Sequence, residues 1–118
     1  MSSRAPDQPS LEGVAKLIKD LQQLVTLMQQ GLSCAKPWQR QLTAHLADVD
    51  TQLQVLQLTA SMERQADEIL VAAEHLAGTC RLAAAALAGS RVDPTTRTAV
   101  HLIVDLANRI RGDLERLK

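Results

Sequence analysis

The side chains able to do chemistry are few in this chain, and their spacing limits what they could do. His101 and Asp105 stand at i and i+4, so on a helix both could reach one metal ion or each other. His45 and Asp48 form a similar pair three residues apart. Two donors do not make a metal centre, however. The chain has no HxxxH pair, no ExxH pair and no cysteine cluster, so neither a structural zinc nor a di-iron site is expected. Cys34 and Cys80 are the only cysteines and lack CxxC spacing, which predicts free thiols in a reducing cytoplasm. Cys34 could act as a nucleophile only with a histidine base supplied by the fold, and no local motif announces one. Glycine-rich phosphate loops, paired catalytic carboxylates and nucleophile elbows are absent, so the chain reads as non-enzymatic, with no cofactor.

Two residues remain as candidates for function. His75-Leu-Ala-Gly78 places a histidine on a helical segment shortly before a glycine. The pattern loosely resembles that of histidine phosphotransfer domains, which carry a surface histidine, two further residues, then lysine and glycine. The resemblance implies a four-helix bundle that accepts a phosphoryl group on His75 without catalysis of its own. Here the glycine comes one position early and the lysine is missing, which leaves the phosphate charge without that support. Trp38, the one aromatic residue in the chain, either packs over a bundle end or anchors a protein partner. Arg111-Gly112-Asp113 spells an adhesion tripeptide, but it falls within a predicted helix and is read as chance.

The elements that would position these residues are helices. With one Trp and no Phe or Tyr, any core must be built from Leu, Val, Ile, Met and Ala, which suits helix packed on helix. Residues 1–9 are polar, contain two prolines and predict a disordered tail. Ser10 then reads as an N-cap, with Glu12 in the first turn. Leu11, Val14, Ile18, Leu21, Val25, Met28 and Leu32 recur at steps of three and four, a seam on a helix over about 11–30. Gly31 is expected to end it in a left-handed conformation, with Leu32 folding back on Leu27. Pro37 starts the next helix, whose seam is Leu42, Leu46, Val49, Leu53, Leu56 and Ala60. A second seam, Met62, Ala66, Ile69, Ala73, Leu76, Cys80, Ala83 and Leu87, follows at a register displaced by about 100°. Gly89 closes it. The last helix, 94–117, is capped by Asp93 with Pro94 at its first position, and buries Val100, Ile103, Ala107, Ile110, Leu114 and Leu117.

The stretch Leu58-Thr-Ala-Ser-Met-Glu-Arg-Gln65 decides between two all-α architectures. It holds no Gly, Pro or Asn, and consists largely of good helix formers, which predicts one helix over 38–88. Such a helix would leave a single chain two helices thick. An antiparallel homodimer would then complete a four-helix cross-section. If instead the chain breaks near 59–61, a monomeric up-down-up-down four-helix bundle follows.

Composition narrows the function further. Thirteen basic and thirteen acidic residues give a formal net charge of zero without a basic stripe, which argues against nucleic acid as partner. No uninterrupted apolar run reaches the roughly 18–20 residues of a membrane span, and the N-terminus lacks the apolar region of a signal peptide. The expectation is a single helical region over 10–118 that works in the cytoplasm by binding protein, as an adaptor, chaperone-like factor or regulator. Phosphorelay through His75 is the alternative, and an Ala-lined sensor of apolar small molecules is a second.

Overall fold

The computed structural model describes residues 10–62 and 65–117. They form four helices: α1 (Leu11–Gly31), α2 (Pro37–Ser61), α3 (Ala66–Ala86) and α4 (Pro94–Leu117). The expectation of a disordered tail over 1–9 lies outside the described residues. There are no strands among those described.

Local chemistry explains most of the boundaries. Ser10 is extended (φ −154°, ψ 158°), and its Oγ accepts the Gly13 N–H at 3.0 Å. A Cβ on Gly13 would stand 3.1 Å from that same Oγ, so glycine suits the closeness of the cap. Pro37 opens α2, and the preceding Lys36 N–H donates to the Gln39 side chain at 2.9 Å, one half of a capping box. At α4, both carboxylate oxygens of Asp93 engage Thr96, one of them accepting its backbone N–H at 3.0 Å. The backbone bond from Thr96, then its hydroxyl, hold the Asp93 carboxyl below the usual carboxylate range.

The helix ends depart from expectation. Gly31 lies within α1, which stops because Leu32 turns extended (φ −84°, ψ 122°) while its N–H still bonds Met28 O at 2.9 Å. Leu27 is largely exposed, so the expected fold-back of Leu32 upon it is not formed. At the end of α3, Leu87 rather than Gly89 makes the cap, in right-handed conformation (φ −91°, ψ −7°), with its side chain buried.

The predicted continuous helix over 38–88 is corrected: α2 ends at Ser61 and α3 begins at Ala66, so the four-helix alternative is the one observed. The register slip supplies the reason. Two apolar faces about 100° apart on a single rod cannot meet the same core. Reversal of the chain turns both inward.

The helices pack in cyclic order, α1 on α2, α2 on α3, α3 on α4 and α4 on α1, with no close diagonal approach of backbones among the described residues. The beginning of α1, the end of α2, the beginning of α3 and the end of α4 converge at one end, which makes neighbouring helices antiparallel. α3 is the best packed. Ala72, Ala73, Ala77, Cys80 and Ala83 are buried along it, and their small side chains let α2 and α4 approach closely. α3 is also the one described helix long and apolar enough, by length and composition, to cross a membrane; much of its surface is turned to its neighbours instead. Contact between α1 and α2 is the slightest of the four. Gln57 Nε2 donates to Gln22 Oε1 between them at 2.8 Å.

Candidate functional site: the open end of the bundle

The seams read from sequence are buried through the middle of the bundle. Val14, Ile18, Leu21 and Val25 on α1, Leu42 to Leu56 on α2, Ile69 to Leu87 on α3, and Val100 to Leu114 on α4 form a single core. Five seam positions break the rule. Leu11, Ala60, Met62, Ala66 and Leu117 are exposed, Leu11 by 68% and Met62 by 51%. All five lie where the start of α1, the end of α2, the start of α3 and the end of α4 converge. At the opposite end the corresponding seam residues Met28 and Leu32 are partly buried and packed on the core.

A cleft opens at this incomplete end. Its volume is about 690 Å3, and Leu11, Val14, Ala15 and Ile18 of α1 face Gln57, Ala60 and Ser61 of α2 across it. Ile69 and Leu114 form the remaining lining. Small residues in the α2 wall, Ala60 and Ser61, hold it wide, because nothing there reaches across to α1. Exposed Leu58 stands on the last turns of α2 beside them. The lining carries no ionisable group. A cleft of this composition can exclude water from an apolar side chain, and its polar atoms are those of Gln57 and Ser61.

His75 lies elsewhere, exposed on the outer face of α3. It shares a groove of about 630 Å3 with Gln52 of α2 and with Glu74, Gly78, Thr79 and Arg81 of α3. The Arg81 guanidinium reaches back over Gly78, its Nη2 3.9 Å from where a Cβ would stand, an ordinary contact distance. The Thr79 hydroxyl is engaged with the His75 carbonyl at 3.0 Å. Arg81 thus occupies the neighbourhood in which the resemblance wanted a lysine, while Glu74 brings a carboxylate to the same groove.

Trp38 is half-buried and packs against the core at the end of the bundle opposite the cleft. His101 and Asp105 are both exposed on α4, and His45 is half-buried with Asp48 exposed on α2. No group of three or more His, Cys, Asp or Glu among the described residues could hold a metal ion. Cys34 is an exposed loop thiol with its Sγ 3.6 Å from Thr43 Oγ1. Cys80 is fully enclosed, and burial pushes its thiol up to about 12. The Arg111-Gly112-Asp113 tripeptide lies inside α4, with Asp113 buried and paired to Arg116 at 2.8 Å.

No family model, curated protein or solved structure matches the chain.

Proposed function

We propose that the chain is a non-enzymatic protein-interaction module whose binding surface is the open end of the bundle. The observation that carries this reading is the gathering of all five uncovered seam positions at one end, around an apolar cleft. A helical core that stops short on every helix at the same level is completed by apolar side chains from outside. Ala15, Ala60 and Ser61 let a helix backbone come close, and Leu11, Leu58 and Met62 meet its flanks. The balanced charge and the absence of a basic stripe support protein over nucleic acid as the occupant.

A photo-crosslinking residue placed at Ala60 of the full chain, in cells that express it, tests this. It is expected to capture protein, and the added substitution Ala15→Glu, at an exposed helical position on the cleft wall, is expected to suppress capture at least about tenfold by placing a charge in an apolar contact. A crosslinker at Glu74, on the His75 groove, is expected to capture none of the same protein. Absence of capture at Ala60, or capture indifferent to Ala15→Glu, would sink the reading.

The His75 groove receives its own test. Incubation with a small-molecule phosphoryl donor is expected to leave the chain unlabelled, since Glu74 opposes a second negative charge beside His75. An acid-labile label that disappears in His75→Gln would put phosphorelay in place of the reading given above.

A further inference from the structure

We propose that the outer face of α3 is a second interface of this chain, through which two copies of the closed bundle associate with their α3 helices antiparallel. The surface shares no seam residue with the open end and does not depend on what occupies that end.

Outward positions on α1 and α4 are largely polar, among them Lys16, Lys19 and Gln23 on the first and Thr98, His101 and Asp105 on the second. On α3 they are not. Val71 is 49% exposed and Leu82 64%, with exposed His75 and half-buried Gly78 between them. These four recur at steps of four, three and four, which aligns them as a and d positions of one seam. The seam on the opposite side of α3, including Ala73, Leu76 and Cys80, is buried in the chain's own core. α3 thus carries two seams, and its neighbours α2 and α4 leave the outer one without a helix upon it.

The outer seam is complementary to itself when reversed. An antiparallel pair sets Val71 against Leu82 of the other copy and His75 against its Gly78, giving four successive layers about a two-fold axis. Apolar side chains meet in the outer layers. In the inner ones each imidazole lies over a residue with no side chain. Outside the backbone of α3, the nearest heavy atom to a Cβ on Gly78 is Arg81 Nη2 at 3.9 Å, the far end of a flexible side chain. Charge fixes the direction. Glu74 and Arg81 flank the seam on one side, two turns apart, and form no ion pair among the described residues. Reversal brings Glu74 of each copy beside Arg81 of the other, which makes two ion pairs across the axis. A parallel pair would instead stack His75 on His75 and set Glu74 beside Thr79, with no opposite charge in reach.

Sedimentation equilibrium on the full chain at low ionic strength, from about 5 µM to about 1 mM, tests this. A contact along one helix face is small, so the expected product is a dimer that dissociates on dilution. Glu74→Arg and Arg81→Glu, taken singly, each turn two attractions into two repulsions and are expected to weaken association at least about tenfold. Both residues are exposed, so the helical circular dichroism should match that of the wild type. The double variant is expected to recover the dimer. An equimolar mixture of the two single variants is expected to form mixed dimers, since each then supplies the charge that the other lacks. A wild-type chain that stays monomeric to about 1 mM would overturn the inference. So would a dimer indifferent to both single changes, or one that neither the double variant nor the mixture recovers.

Discussion

Leu76→Ala is expected to destabilise the bundle by about 2–5 kcal/mol, and Ala73→Leu, one turn away, by about 1–3 kcal/mol, though the two changes move volume in opposite directions. Both side chains are fully buried on α3. Leu76 supplies bulk in a helix whose other inward residues are mostly alanine, so its loss leaves a cavity that rigid neighbours cannot close. Ala73 marks where a neighbouring helix approaches α3 closely, and three added carbons there must push it outward. At roughly 4 °C per kcal/mol for a chain of this size, the first change lowers the melting temperature by about 8–20 °C and the second by about 4–12 °C. Calorimetry reads both directly. An Ala73→Leu variant as stable as the wild type would show that α3 is not the close-packed centre of the fold.

Stability is also expected to fall steeply as the pH rises above 9, through Cys80. Its thiol is pushed up to about 12 by burial, opposed by the nearby Arg81 charge, whereas an unhindered thiol stands at 9.0. Between these values the unfolded chain releases a proton that the folded chain keeps, so the unfolded state gains. The slope approaches 1.4 kcal/mol per pH unit, and the loss reaches on the order of 2–3 kcal/mol at pH 11. Tyrosine is absent, so no phenol titrates across the same window. Urea melts at pH 8 and pH 11 should therefore converge in Cys80→Ala, apart from a contribution common to both proteins. A wild-type chain whose midpoint shifts no more than that of Cys80→Ala would remove the effect. Thiol labelling gives a companion reading: in the folded chain Cys34 should react and Cys80 should not.

The core was legible in the sequence because its pattern is local. Steps of three and four picked out Val14 to Val25, Leu42 to Leu56 and Val100 to Leu114, and Ser10, Pro37 and the Asp93-Pro94 pair marked starts by their own side-chain chemistry. The reversal between α2 and α3 was not legible from composition, because Met62 and Gln65 carry no turn preference; only the shift in register pointed to it. The α3 face proved wider than its seam, with Leu70, Ala72 and Ala77 also buried. A helix flanked closely on two sides buries a broader arc than a single seam describes. The cleft could not be read at all. It depends on which side chains of α1 and α2 come to face one another at the open end, and no periodicity encodes that. Seam positions that a repeat pattern marks as inward, yet which end together at one level, became informative only once the helices were placed.

The position of Trp38 has a practical consequence for anyone observing this molecule by light. It is the sole fluorophore, and it sits near the first turn of α2, about 33 Å along the helix from Ala60. Its emission reports the solvation of the end where the α1–α2 link and the α3–α4 link meet. Events at the cleft are spectrally silent, so a titration followed by intrinsic fluorescence alone would record an occupied open end as unchanged.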